Sequence, residues 1–245
     1  MSALSTTLPP ARHLVAVVAH PDDEAFGLGA LLAAYAAAGT RVDVVCLTGG
    51  ERSSLGAGGD LAGRRAAELR RAVALLGVQR SLGLAHPDGA LAEVAPDRLV
   101  AQVREASAGA DALLAYDRGG VTGHPDHEAA TAAAVAAGQL EDRWVWGWAL
   151  PASVAACLRQ RTGVGFVGRD ETELDVAVTV DRAQQRAAMA CHASQLEGNP
   201  VPWRRLALQG PVEHLRILHR PTARAAPAAT ARAAPTDHPP EASRS

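Results

Sequence analysis

The chain has 245 residues, enough for one α/β domain with a full hydrophobic core and some appendage. Its formal net charge of −2 lacks the basic excess of a nucleic-acid binder, so no nucleic-acid partner is expected. All 24 basic residues are arginine, which excludes Schiff-base and P-loop lysine chemistry. Cys46, Cys157 and Cys191 follow no disulfide spacing and sit in apolar or helical contexts, so buried thiols are expected. Residues 1–12 lack the apolar stretch of a signal peptide, and no apolar run reaches the ~20 residues of a membrane span. A reducing, cytoplasmic setting without a membrane partner is therefore expected.

The first element is a continuous apolar strand over residues 14–19, as in the middle of a parallel sheet. An alanine- and leucine-rich helix over 24–38 follows, closed by Gly39. Residues 41–47 read as the second strand and 48–59 as a Gly/Ser loop. A helix over 61–76, a short strand over 80–84, a loop over 86–93 and a helix over 96–106 come next. The fourth strand spans 111–116. A glycine-rich loop over 117–123 leads into a helix over 125–137, and the fifth strand spans 144–150. Strands alternating with helices predict a Rossmann-like, mostly parallel α/β sheet with helices on both faces and ligand sites beyond the carboxyl ends of the strands.

After Leu150 the pattern changes to a smaller strand–helix–strand portion: a helix over 151–161, a strand over 173–180, a helix capped by Asp181 and running to His192, and a last strand over 212–219. Residues 221–245 are rich in Ala, Pro and Arg without periodicity and read as a disordered tail beyond a single domain over 1–220. Trp144, Trp146 and Trp148 alternate and share one strand face, which points to packing. Gly27-Leu28-Gly29 resembles a fragment of a dinucleotide fingerprint, but Leu32 stands at the third glycine and the loop is acidic.

Two turns carry the chemistry. Ala19-His20-Pro21-Asp22-Asp23-Glu24 closes the first strand with an imidazole and three carboxylates, groups too costly to desolvate without a use. His20 and Asp23 lie three apart across a proline-stiffened turn and can face one ion. The second turn, His124-Pro125-Asp126-His127, opens a helix beyond the fourth strand, with Pro125 at a favoured first helical position. His20, Asp23 and one of these two histidines give two nitrogens and one hard oxygen. That set describes a catalytic zinc site with an open position, and also a non-haem iron triad. The spare Asp22 and the spare histidine favour hydrolysis, which needs a base and an oxyanion stabiliser.

The two motifs together resemble the PIG-L/LmbE-like family of zinc-dependent N-deacetylases. Thr48-Gly49-Gly50-Glu51, Arg65-Ala66-Ala67-Glu68, Leu76-Gly77-Val78, Pro87-Asp88-Gly89 and His192-Ala193-Ser194-Gln195 also fall where that family has similar stretches. The resemblance covers residues 12–219. It implies one zinc ion, with iron as a substitute, held by His20, Asp23 and His127. It implies Asp22 as general base, His124 on the oxyanion and Asp126 orienting His124. It also implies sugar contacts from Arg65 and Asp88, although Arg65 and Glu68 fit a helix ion pair equally well. His192 is expected to stack under the site or to cap a helix. Members of the mycothiol pathway carry a tyrosine two residues before the first histidine of the second motif, where this chain has Thr122. The activity implied is removal of an N-acyl group from a small N-acylated amino sugar. The alternatives are cleavage of a mycothiol-type thiol conjugate, iron-dependent oxygenation and a binding module with a decayed site. A homo-oligomer is compatible with the sequence but not readable from it.

Overall fold

The computed structural model describes residues 4–56 and 58–222, so the tail expected from residue 221 lies almost wholly outside the described residues. Seven strands form one sheet: β1 (His13–Val18), β2 (Arg41–Thr48), β3 (Arg80–His86), β4 (Ala112–Tyr116), β5 (Trp144–Ala149), β6 (Val176–Thr179) and β7 (Val212–His219), in the order β3-β2-β1-β4-β5-β7-β6. β1 to β5 pair in parallel, while β7 runs antiparallel to both β5 and β6. The order of connections reverses between β1 and β4, and an open α/β sheet leaves a crevice at such a switch point.

Alternation along β1 builds the two cores. Leu14, Ala16 and Val18 pack with α2 (Gly29–Ala37) and α3 (Leu61–Leu75) on one face. Val15 and Val17 pack with α4 (Pro96–Ala106) and α5 (Pro125–Leu140) on the other. From Leu14 to Val18 the strand is therefore buried on both faces, and the chain meets the reactive cluster only past its carboxyl end.

The helix expected over 24–38 is two helices. The short α1 (Asp23–Phe26) ends at Gly27, and α2 starts afresh at Gly29. The cause is a close approach: a Cβ at Gly27 would lie 2.4 Å from the Tyr116 ring. The phenol thus passes over the backbone and the chain steps around it.

The portion beyond β5 is more helical than expected. α6 (Ala152–Thr162) and α7 (Ala183–Ala190) are followed by α8 (Ala193–Leu196) and α9 (Val201–Gln209), neither of which was read from the sequence. The N-cap of α7 is Arg182 rather than the expected Asp181, which stands one residue earlier and accepts the Ala183 N–H at 2.9 Å, and α7 stops two residues short of His192. The strand expected over 173–180 is confined to Val176–Thr179. Of the three thiols expected to be buried, only Cys46 is; Cys157 on α6 is exposed and Cys191 is half-buried. Among the described residues no helix is long and apolar enough to cross a membrane.

The close packing of Tyr116 on Gly27 has a measurable cost of disturbance. Gly27→Ala should destabilise by about 1–3 kcal/mol and lower Tm by several degrees, because the phenol or the helix break must shift. Gly83→Ala is the control, since a Cβ there meets nothing within 4 Å. Equal melting temperatures for the two variants would show that the Tyr116 contact does not dictate the break.

Candidate metal and active site

Beyond Val18 the chain turns through residues 19–22 into α1. The turn is closed by Asp23 Oδ2, which accepts the His20 N–H at 2.9 Å. Beyond Tyr116 the 117–124 loop returns to α5. Gly120, at φ +63°, is required there, since a Cβ would lie 2.8 Å from the Cβ of His127. His124 stands at the N-cap of α5, where its Nδ1 accepts the Asp126 N–H at 3.2 Å. The two turns face each other across the switch point between β1 and β4.

His20, Asp23 and His127 converge. His20 Nδ1 lies 3.1 Å from His127 Nε2, and Asp23 Oδ1 lies 3.2 Å from His127 Nε2. One donor atom from each of the three residues falls within 4.8 Å of the others. The outward nitrogens are held as a metal site requires: His127 Nδ1 donates to Gly120 O at 3.0 Å, and His20 Nε2 lies 3.1 Å from Asp88 and 3.3 Å from Asp126. Carboxylate or carbonyl partners on the far nitrogen fix the tautomer that offers a lone pair inward. The donor set therefore fits a divalent cation. His20, His124 and Asp126 form a second candidate cluster. It is the poorer candidate, because the His124 Nδ1 lone pair already accepts the Asp126 N–H and the Asp126 carboxylate is tied to the Gly89 and Leu91 N–H groups at 2.7 and 3.0 Å.

Charge at the site follows from this crowding. Burial alone would lower the His20 imidazole, yet its hydrogen bonds to Asp126, Asp23 and Asp88 push it up to about 12. Burial would raise Asp23, but His127 and His20 hold it well below the usual carboxylate range. Asp22 behaves oppositely: burial, with Asp23 beside it, pushes it up to about 6 against the pull of Arg65. The His124 imidazole is lowered by burial and by the neighbouring His127 and His20, so it is a neutral ring near pH 7. Since Nδ1 accepts, its hydrogen sits on Nε2.

Several expected roles change partners. Asp126 was expected to orient His124; its carboxylate instead faces His20 and ties down the 89–91 backbone, because loop 87–91 folds under the α5 N-terminus. Asp88 was expected on the sugar; its Oδ1 meets His20 and its Oδ2 accepts the Arg52 N–H at 2.8 Å. Glu51 in turn accepts the Asp88 N–H at 2.9 Å. Arg65 makes no bond to Glu68. It donates to Gly50 O and Pro21 O at 2.6 Å and to Asp22 Oδ2 at 3.0 Å, while Glu68 binds Ser194. Arg65 and Asp88 still line the central cavity. No signal in the sequence marked Tyr116, whose hydroxyl donates to Asp23 O at 3.2 Å and whose ring meets His127 edge-on at 4.9 Å.

The cavity above these groups has a volume of about 500 Å³. Asp22, Asp23, His20, His124 and His127 line it together with Thr122, and apolar walls come from Phe26, Trp148 and Phe166. Of the three alternating tryptophans, Trp146 packs on Tyr35, whereas Trp148 faces the cavity and donates to the buried Glu213 at 2.6 Å.

Residues 15–138 match the sequence pattern of PIG-L, described as GlcNAc-PI de-N-acetylase. The chain belongs to this family. It is 32% identical to a 1D-myo-inositol 2-acetamido-2-deoxy-alpha-D-glucopyranoside deacetylase of Nakamurella multipartita, over 77% of this chain and 80% of that one. The deacetylase of the same description from Salinispora arenicola is 34% identical over 79% of each chain. In fold, the chain is similar to N,N'-diacetylchitobiose deacetylase from Pyrococcus horikoshii, with a TM-score of 0.60 and 22% identity over 84% of both chains. Like its family, the protein is an N-deacetylase-type hydrolase, and the iron oxygenase and decayed binding module drop out as readings.

The geometry separates the two histidines of the second turn. His20→Ala, Asp23→Ala and His127→Ala should each lose stoichiometric zinc by elemental analysis, and zinc should no longer raise their Tm. His124→Ala should keep both. Full zinc in His127→Ala with loss in His124→Ala would mean that the two histidines are reversed.

Proposed function

We propose that this protein is a zinc-dependent hydrolase that removes an N-acyl group, an acetyl, from an amino sugar or a related small glycoconjugate. One observation carries this reading: a base and a neutral N–H donor flank the His20–Asp23–His127 trio at one cavity large enough for a sugar. The named activity of the curated relatives, on an acetylated glucosaminyl inositol, supports the substrate class. His20, Asp23 and His127 would hold the ion. Bound there, zinc supplies Lewis-acid charge that eases deprotonation of the attacking water and withdraws electron density from the amide carbonyl.

The remaining work falls to the chain's own side chains. Asp22 accepts the proton of the attacking water and returns it to the leaving amine. Its carboxylate is aimed by Arg65, and its pKa of about 6 leaves it mostly ionised at pH 7 yet basic enough to take a proton. His124 offers its Nε2–H to the oxygen that gains charge as the carbonyl becomes tetrahedral. A neutral imidazole can donate there without burying a further positive charge beside His20 and His127. Asp88 and Asp126 hold His20 in place, so they act on the metal site rather than on the sugar. Arg52, Gln195 and Asn199 offer polar groups on the cavity wall, and Trp148 and Phe166 offer apolar faces to the rest of the substrate.

Asp22→Asn keeps shape and removes the base. Assayed by amine release from N-acetylglucosamine glycosides, it should retain zinc and Tm while kcat falls by roughly 10²-fold or more. The wild-type rate should decline on the acid side, because protonating Asp22 removes the base; the midpoint should lie below about 6, since the charge of the bound ion lowers the carboxyl, and this limb should be absent from the residual activity of Asp22→Asn. More than about a tenth of wild-type kcat in Asp22→Asn would move the base elsewhere.

A further inference from the structure

Asp22 is a non-glycine residue at φ +128° and ψ −27°, a region that L side chains rarely occupy. Such a conformation persists only where the surroundings over-determine it. Arg65 clamps the side chain at Oδ2 and the preceding carbonyl at Pro21. The backbone is held by a second group that the chemistry above does not use. The Asp22 N–H donates to Glu24 Oε2 at 2.9 Å, and Glu24 Oε1 lies 2.6 Å from His192 Nε2. Glu24 and His192 both have 0% exposure, and neither lines the cavity. A carboxylate buried completely behind the base is expensive unless it is paired, and its side-chain partner here is one imidazole.

His192 is itself fixed. Its N–H donates to Met189 O at 3.0 Å, its carbonyl receives the Gln195 and Leu196 N–H groups, and its ring meets Phe26 edge-on at 5.7 Å. Its Nδ1 is buried without a partner, so its only side-chain hydrogen bond goes to Glu24. A histidine kept only to join α7 to α8 would not need to reach an acid 168 positions away.

We propose that His192 is a positioning residue for the reaction: it orients Glu24, which holds the Asp22 backbone in its unfavourable conformation and so aims the base. The inference rests on the reading of Asp22 as the base. It assigns to the His192-Ala193-Ser194-Gln195 stretch a role on the reaction as well as in packing, where Ser194 secures the same turn to Glu68 on α3.

The test is a double-mutant cycle on the full chain loaded with zinc, with kcat, KM, zinc content and Tm measured for each variant. His192→Leu should lower kcat by about tenfold or more with KM and zinc within about twofold, the scale expected when a group is misaimed rather than lost. His192→Gln, which can still donate to Glu24, should recover kcat to within about threefold of wild type. In an Asp22→Asn background, adding His192→Leu should cost less than about threefold more, because residues acting as one unit are not additive. If His192→Leu fails to fold, Glu24→Leu, which removes the acceptor of the Asp22 N–H at similar side-chain volume, carries the same cycle. Wild-type kcat in a folded His192→Leu, joint loss of zinc and kcat, or losses that multiply in the Asp22→Asn background would each overturn the proposal. Failure of the base assignment itself would show in Asp22→Asn alone.

Discussion

Four carboxylates and two imidazoles crowd together where β1 and β4 end: Asp23, Asp88, Asp126 and His20 are buried, and Asp22 and His127 are partly buried. Carboxylates packed so closely repel one another and lose hydration, and only positive charge among them makes the arrangement favourable. In this structure the imidazoles and Arg65 supply that charge, with Arg65 on Asp22 and His20 pushed up to about 12 by three acids at once. A divalent cation between His20, Asp23 and His127 would do the same work better. Asp88 and Asp126 would then polarise His20 as a ligand instead of holding its proton.

The surrounding structure can be understood as support for this cluster. Parallel strands buried on both faces bring the two turns together at the switch point, and helices on each side leave only the carboxyl ends open. Tyr116 closes the underside of the site and breaks the α1–α2 helix in doing so. The antiparallel β5–β7–β6 portion adds a second buried polar assembly, in which Glu213 accepts from Trp148, Arg182 and Gln209. Arg205 lies 5.2 Å over the Trp148 ring, and burial lowers its pKa to about 10. That assembly fixes Trp148 as one wall of the cavity, so the C-terminal third of the chain shapes the space above the candidate site.

Features carried by short-range pattern were legible in the sequence. Continuous apolar runs gave β1, β4 and β5, and Pro96 and Pro125 marked two helix starts at their first residues. The two metal-type turns were legible because each pairs a proline with clustered acids and histidines at a strand end. Features set by distant partners were not. The break at Gly27 lies inside an apolar run, and its cause, Tyr116, is 89 positions away. Asp126 turns to His20 because loop 87–91 folds beneath it, which no spacing encodes. Helices α8 and α9 are short and separated by a stretch holding Gly198 and Pro200, so they carry too few turns for a periodic signal. Glu24 and His192 were each singled out in the sequence, but their pairing, 168 positions apart, was not legible before the fold brought them together.

The central claim is that one cation organises the site through His20, Asp23 and His127. Anomalous diffraction at the zinc edge, on crystals of the zinc-loaded protein, tests it most directly. The account predicts a single strong site with metal–ligand distances of ~2.0–2.2 Å to His20 Nδ1, His127 Nε2 and an Asp23 carboxylate oxygen, with Asp22 and His124 outside the coordination sphere. Zinc bound through His124 or Asp126 in place of His127 and Asp23, or no ordered zinc in this cluster, would contradict it.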